Sequence, residues 1–157
     1  MNRNILQLRR HMLQAALLLG FLLASQTALA ADSSRIYTSL TGAQLLQIMQ
    51  DEGYSASLDK DGDIRWKLQG CNCLILFFDD NASIQFYYAV TGTDVTLERI
   101  NAWNAGKRYS RTYLDEENDP CLELDLDLTG GISGARIVDF LRTCKQSLDK
   151  WEKEVIS

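Results

Sequence analysis

Four cysteines are the residues whose chemistry is easiest to read from this sequence. They are Cys71, Cys73, Cys121 and Cys144. A C-x-C pair such as Cys71-Asn72-Cys73 can act as a redox switch or contribute to a metal site, or each cysteine can join a different element through a disulfide. No Lys, Arg or His flanks the pair to lower a thiol pKa, so the sequence favours structural disulfides.

Four cysteines allow three disulfide pairings, and the sequence leaves the choice open. Cys144 falls on the apolar stripe of a predicted helix, whereas Cys121 shares the parity of acidic residues on a predicted strand. A direct bond between these two cysteines is therefore not expected unless the strand bulges.

The rest of the sequence offers no established catalytic pattern. The only histidine, His11, lies in an N-terminal leader that we expect to be cleaved, which excludes Ser-His-Asp and Cys-His catalysis and makes most zinc sites unavailable. The run from Asp59 to Asp63 resembles the start of a calcium loop, but Ile64 and Gly70 stand where that loop needs Gly and Glu, so a D-G turn explains it. We expect no catalytic site, no metal and no cofactor, and hence no enzyme.

The leader has the three parts of a secretory signal. A basic start without acids precedes an apolar run over residues 13–24, and Ala28-Leu29-Ala30 offers a small-x-small cleavage site. The run is shorter than the ~20 apolar residues that span a bilayer. We predict a signal peptide over 1–30 cleaved between Ala30 and Ala31, a single domain over 31–157 with no membrane span, and a periplasmic or secreted location. An oxidising compartment of this kind favours disulfides.

Charge argues against two classes of partner. The full chain carries a net charge of −5, and losing three arginines with the leader leaves −8. Nucleic acid and anionic lipid both need a basic protein face. We therefore expect neither as a partner.

Hydrophobic periodicity predicts an α+β domain. Helical spacing occurs near both ends and once in the middle, and six segments between them read as strands joined by short turns. The predicted order is α-β-β-β-β-α-β-β-α, an antiparallel sheet with helices at both ends and one inserted. The helices are predicted over 42–52, from Thr93 or Asp94 to 106, and over 134–155, and the strands over 54–58, 64–69, 73–78, 83–90, 107–115 and 120–128.

Three segments carry specific side-chain expectations. The strand over 120–128 alternates leucines with acids, so its leucines should face inward and Glu123, Asp125 and Asp127 should face water. The strand over 73–78 is apolar on both parities, which predicts burial on both faces. The apolar stripe of the last helix should pack across the sheet, with a subunit interface as the alternative.

Three further segments, residues 95–104 (VTLERINAWN), 108–115 (RYSRTYLD) and 122–125 (LELD), resemble the YbjN family, whose members are labelled "putative bacterial sensory transduction regulators". The resemblance is strongest over 95–128 and extends over most of 36–155. It implies a fold similar to type III secretion chaperones, small α+β proteins that often dimerise and bind extended peptide, and it does not imply an enzyme. The leader and the four cysteines depart from the better-known members, which puts a cytoplasmic regulatory role in doubt.

The segments that carry this resemblance supply the candidate partner-binding residues. Trp103 is expected to pack on the sheet, and Asn104 to hold the helix end or the start of the next strand. Arg108 and Arg111 have two possible roles. They can pair with acids of the neighbouring strand, or they can bind a partner, since Arg and Tyr are favoured anchors in interfaces. The complete candidate set is Trp103, Asn104, Arg108, Tyr109, Arg111 and Tyr113.

Two functional hypotheses follow. The first is a periplasmic protein- or peptide-binding module with a chaperone-like or sensory and regulatory role, which engages an envelope protein or peptide and can form a homodimer. It predicts an apolar patch on the surface. The alternative is a thiol-active redox protein that uses Cys71 and Cys73, which predicts a disulfide of unusually high reduction potential.

Overall fold

The computed structural model describes residues 34–157, and its compact unit spans Ile36–Ser157. The signal peptide over 1–30 and its cleavage site at Ala30 and Ala31 lie outside the described residues. The strands are β1 (Ile36–Tyr37), β2 (Ala56–Leu58), β3 (Ile64–Leu68), β4 (Cys71–Phe78), β5 (Ser83–Ala89), β6 (Arg111–Leu114), β7 (Pro120–Asp127) and β8 (Ile132–Ser133). The helices are α1 (Gly42–Asp51), α2 (Leu97–Gly106) and α3 (Gly134–Trp151), and a π-helical turn over Glu152–Ile156 follows α3.

Helix α1 starts where its sequence predicts. The Thr41 side chain accepts a hydrogen bond from the Gln44 backbone N–H, and the Gln44 side chain accepts one from the Thr41 backbone N–H. This reciprocal capping box satisfies two of the four N–H groups that a helix start leaves unpaired. Leu45, Ile48 and Met49 form the buried stripe of the helix.

The main sheet has six strands in the order β2-β3-β4-β5-β7-β6, and every pairing is antiparallel. The first four strands form the predicted meander. The predicted D-G turn joins β2 to β3, with Gly62 at a φ of +91° and the Asp59 carboxylate accepting hydrogen bonds from the backbone of Asp61 and Asp63. The predicted α+β class and element order are confirmed.

One face of this sheet, which we call the inner face, is covered by the helices. Strand β3 alternates buried and exposed residues, and the four leucines predicted to face inward from the segment over 120–128 are all buried. The α3 stripe packs against this face, where the Trp151 ring contacts Tyr88 at a centroid distance of 5.8 Å. The buried residues of α3 and the following turn are Gly134, Ile137, Phe140, Leu141, Cys144, Leu148, Trp151 and Val155.

Strand β4 differs from its prediction. Cys73 and Ile75 are buried on the inner face, but Leu74 and Leu76 are only partly buried and Phe78 is 46% exposed. The reason is that the helices pack against the other face, so the alternate residues of β4 have no covering layer in the described part of the chain.

Helix α2 also differs from its prediction. It begins at Leu97 and is capped by Thr96, whose hydroxyl accepts a hydrogen bond from the Arg99 N–H, rather than by Thr93 or Asp94. Leu97 is 70% exposed because it occupies the first helical position.

The fifth predicted strand, over 107–115, is shorter than expected. Tyr109 has a left-handed backbone, with φ of +69°, which a continuous strand cannot accommodate, so β6 begins only at Arg111. A two-stranded sheet of β1 with β8 was not predicted, because two-residue strands have no detectable periodicity.

None of the described helices is both long enough and apolar enough to cross a bilayer.

Candidate partner-binding surface

The structure divides the six candidate partner-binding residues among three places. Trp103 and Asn104 connect α2 to β6. Arg111 and Tyr113 lie on the face of the sheet away from the helices, and Arg108 and Tyr109 lie in the loop between α2 and β6. They therefore do not form one surface, and each group has its own environment.

Trp103 and Asn104 are positioning residues for the strand that follows them. Trp103 is buried, and its indole N–H donates to the Ser110 hydroxyl at 3.1 Å. The Asn104 side chain donates to the Thr112 carbonyl at 2.8 Å and accepts from the Thr112 N–H at 3.0 Å. Asn104 thus takes the place of a neighbouring strand along the outer edge of β6, as expected from its position near the helix end. The edge at Thr112 has no free backbone group to offer another chain.

Arg111 and Tyr113 hold a buried carboxylate. Arg111 lies directly opposite Glu123 in the β6–β7 register, and its guanidinium forms an ion pair with that carboxylate. The Tyr113 hydroxyl donates to the other Glu123 oxygen at 2.6 Å. Glu123 is only 4% exposed, so the expectation that it faces water is wrong, although Asp125 and Asp127 are exposed as predicted. Burial is achieved by the side chains of its neighbours, which also supply its hydrogen bonds.

The electrostatics around Glu123 affect the groups that bind it. The hydrogen bond to Glu123 raises the pKa of Arg111 above its usual value. Burial, together with the hydrogen bond to Glu123, raises the pKa of the Tyr113 phenol. Both side chains therefore keep the protonation state in which they donate to the carboxylate throughout the physiological pH range.

The face that carries this ion pair, which we call the open face, is the opposite face from the helices. Its middle is an apolar strip of Leu74, Leu76, Phe78 and Tyr87, with Leu74 directly opposite Tyr87 in the β4–β5 register. The first two and Tyr87 are partly buried, and Phe78 is exposed. These residues are the candidates for the surface apolar patch that the binding hypothesis predicts, and Phe78 is the exposed one.

The loop after α2 shapes a basic cleft of about 420 Å³. Tyr109 is 75% exposed, and Lys107, Arg108 and Lys150 supply three cations to the lining. No acidic residue lines the described cleft, but Glu154 reaches Lys107 with an Nζ to Oε1 distance of 2.7 Å. The remaining lining residues are Trp103, Gly106, Thr143, Gln146 and Ser147.

The predicted disulfides are not formed, because all four cysteines are free thiols. Cys71 and Cys73 have the inward parity of β4, Cys144 lies on the buried stripe of α3, and Cys121 lies on the opposite face of the sheet, as its parity indicates. A parity argument places each thiol on a face but cannot determine whether two thiols are close enough to bond.

The thiol environments do not favour nucleophilic chemistry. Burial raises the pKa of Cys73 to about 12, and it also raises the pKa of Cys144 and Cys121. A reactive cysteine needs the opposite shift, toward the thiolate. Within residues 34–157, no group of three or more His, Cys, Asp or Glu side chains is arranged to hold a metal ion.

Sequence reasoning missed two residues that shape these surfaces, Glu123 and Lys150. Glu123 was assigned to solvent because it alternates with leucines, and only the register, which places it between β5 and β6, shows that it is enclosed. Lys150 is more than forty positions from Arg108, and only the packing of α3 beside the loop brings both to the cleft. The i, i+3 spacing of Ser147 and Lys150 places both residues on the polar side of α3, which is only a weak sequence signal for the cleft.

The fold and these surfaces define a small α+β protein with a one-sided antiparallel sheet. The profile of the family YbjN, described as "putative bacterial sensory transduction regulator", matches residues 41–157, so the chain belongs to that family. The predicted family resemblance is confirmed.

Solved structures similar to this chain include a YbjN protein and a type III secretion chaperone. The crystal structure of YbjN from E. coli, described there as "a putative transcription regulator", matches with a TM-score of 0.57 and 17% identity, covering 74% of this chain and 94% of that one. The Yersinia pestis type III secretion chaperone SycH, solved in complex with a stable fragment of YscM2, matches with a TM-score of 0.49 and 15% identity, covering 70% and 95%. No curated protein sequence matches the chain.

Proposed function

We propose that this protein is an exported, non-enzymatic binding module that engages an extended segment of another envelope protein, in a chaperone-like or sensory role. The observation that carries the proposal is the basic cleft beside Tyr109, an exposed aromatic residue with a left-handed backbone among three cations. The predicted signal peptide supports a periplasmic location, and membership of a family described as regulatory supports a role without catalysis.

The backbone of Tyr109 is the first step of the argument. A bulky residue with positive φ costs about 1–3 kcal/mol and persists only where its surroundings impose it. Here the chain is held on both sides, by the Lys107 N–H donating to the Trp103 carbonyl and by the Trp103 indole donating to Ser110. Strain of this kind is typical of functional positions, so the exposure of Tyr109 supports a role in recognition.

The lining of the cleft indicates the chemistry of the partner. Arg and Tyr are frequent energetic anchors in interfaces, and the cleft has three cations against one neighbouring carboxylate, Glu154, so its local charge attracts carboxylates. The contact between Lys107 and Glu154 shows that a carboxylate fits at the rim. The cleft therefore suits an acidic segment, which binds despite the net charge of −5 on the whole chain because the local charge is positive.

Binding of peptides of defined charge tests this step. A fluorescent poly-glutamate peptide should bind the mature protein with an affinity that falls as salt is raised, because exposed charges are screened, and poly-lysine of the same length should not. Arg108→Glu should abolish binding, whereas Arg136→Glu, the same change near the start of α3, should leave it intact. Equal binding by both variants, or equal binding of both peptides, would contradict the proposal.

Location and partner are tested in the cell. A photo-crosslinking amino acid at position 109 should capture one dominant envelope protein, and the product should disappear when Arg108→Glu is added. Mass spectrometry of the periplasmic fraction should show a mature chain that begins at Ala31. Retention of residues 1–30 on a cytoplasmic chain would contradict export.

No structural observation favours the redox alternative, since burial moves the Cys73 thiol away from its reactive form and Cys71 and Cys73 are not bonded.

A further inference from the structure

We propose that Glu154 is an internal competitor at the basic cleft, where it occupies Lys107 until the acidic groups of a partner displace it. This inference rests on the proposed function and adds a regulation of the same site. Two observations support it: the ion pair at the rim of the cleft, and the anchored turn that carries Glu154.

The ion pair takes donors that the cleft would otherwise offer to a partner. Lys107 lines the cleft, and its Nζ lies 2.7 Å from Oε1 and 2.6 Å from Oε2 of Glu154. The same ammonium lies 5.3 Å from the centroid of the Trp103 ring, which also lines the cleft. An ammonium has three N–H donors. A carboxylate of a partner therefore has to compete with Glu154 for the donors of Lys107.

The turn after α3 holds Glu154 in place. The next residue, Val155, is 1% exposed in the core. The Arg99 guanidinium, on α2, donates to the carbonyl oxygens of Val155 and Ser157, each at 3.0 Å. Because the backbone on this side of Glu154 is already fixed, Glu154 loses less conformational entropy beside Lys107 than an acid on a free chain would lose. A tethered acid of this kind competes more strongly than a free one.

The contact is nevertheless exchangeable. The side chains of Lys107 and Glu154 are 29% and 48% exposed, so water and a partner can reach both groups. Ion pairs at exposed sites are weak. The other two cations of the cleft, Arg108 and Lys150, have no ion pair within residues 34–157. An acidic segment that engages these two cations gains enough to displace Glu154 from the third.

The affinity for the fluorescent poly-glutamate peptide measures the competition. Glu154→Gln removes the charge and keeps the size of the side chain, and it should bind the peptide about two- to fivefold more tightly than the wild type at low salt, the range expected for one exposed ion pair. The matched control is Glu116→Gln, the same change at an exposed position in the turn at the other end of β6, and it should bind as the wild type does. Added salt should reduce the difference between the two variants.

A double-mutant cycle tests whether Arg99 positions Glu154. In an Arg99→Gln background, Glu154→Gln should produce a smaller gain in affinity than it does in the wild type, because Glu154 is no longer held beside Lys107. Comparing the two gains removes the direct effect of the Arg99 charge on the peptide. Equal gains in both backgrounds would contradict the positioning role of Arg99.

Lysine labelling tests the same contact without a peptide. An amine-reactive N-hydroxysuccinimide ester should modify Lys107 severalfold faster in Glu154→Gln than in the wild type, measured by mass spectrometry against the exposed Lys60. Glu116→Gln should leave this ratio unchanged. An unchanged ratio in Glu154→Gln would overturn the competition whether or not the peptide binds.

The outcomes separate this inference from the proposed function. Peptide binding of equal affinity in the wild type, Glu154→Gln and Glu116→Gln would overturn the competition alone and leave the proposed function intact. Absence of peptide binding in all three proteins would contradict the proposed function, and the competition with it. Circular dichroism shows whether each variant is folded before its affinity is compared.

Discussion

The two faces of the main sheet differ in how far their side chains are buried. On the inner face, Ile75, Phe86 and Leu124 lie in one cross-strand row and are at most 1% exposed, because helices cover them. On the open face, the next row contains Leu74, Tyr87 and Glu123, and only Glu123 is buried. Glu123 is covered by the side chains of the adjacent strands. Stability therefore depends mainly on the inner face, whereas most of the open face has no covering layer among the described residues.

The largest expected effect comes from the inner face. Phe86→Ala should lower the free energy of unfolding by about 3–5 kcal/mol, because it removes a fully buried ring that packs against Trp66 and leaves a cavity in the core. Urea denaturation measures this change. Leu76→Ala, on the open face of the neighbouring strand, is the control and should cost well below half as much, since Leu76 is partly exposed. Equal costs would show that the open face is covered as well.

The pH dependence of stability tests the inner face in a second way. The folded-state pKa of Cys73 is raised from 9.0 to about 12, so the unfolded chain loses this proton first as pH rises. The contribution is intact below pH 9 and is lost between pH 9 and 12, at about 1.4 kcal/mol per pH unit. Cys73→Ala should be less stable overall but should lose stability less steeply in that range. Parallel stability curves for the two proteins would contradict the prediction.

The open face should respond to loss of its buried ion pair. Arg111→Ala leaves the Glu123 carboxylate enclosed without its cation and should cost about 1–3 kcal/mol. Tyr113→Phe removes a single hydrogen bond to the same carboxylate and should cost about 1 kcal/mol. Thermal unfolding measures both. If Glu123→Gln restored the stability of Arg111→Ala, the unpaired charge would be the cause, and no rescue would point to lost packing instead.

The junction between α2 and the sheet edge should show a smaller effect. Asn104→Ala removes both hydrogen bonds to Thr112, and water can replace them in part, so we expect a cost of about 1–2 kcal/mol. Asn101→Ala, one turn earlier on the same helix and exposed, should change stability by less than about 0.5 kcal/mol. Hydrogen exchange at the Thr112 amide should accelerate only in the first variant.

The smallest effect has the opposite sign. Tyr109→Gly should raise the free energy of unfolding by about 0.5–1 kcal/mol, because glycine adopts a positive φ without strain and part of this gain is offset in the unfolded chain. The same change should weaken binding of acidic peptide. A variant that is both less stable and fully able to bind would show that Tyr109 has a structural role.

The difference between the faces also explains what could be predicted. Alternation alone was sufficient to place Leu122 and Leu124 in the core, and capping chemistry to start α1 at Gly42. The burial of Glu123 could not be predicted, because it depends on three strands and on two long side chains that fold over it. The state of the cysteines could not be predicted either, because bonding depends on distances between elements. The cleft could not be predicted from the sequence, because it forms only where α3 packs beside a loop that is remote in sequence.

The closed edge at β6 has a consequence for how copies of this chain can grow into larger assemblies. A continuous intermolecular sheet needs two accepting edges on every molecule, one for the copy on each side. Asn104 occupies the backbone of Thr112 at the β6 end of the main sheet, so within that sheet the edge without such a block is β2, at the other end. Pairing of main sheets through β2 therefore stops at two molecules, and a single amide side chain opposes growth of the main sheet into a fibre.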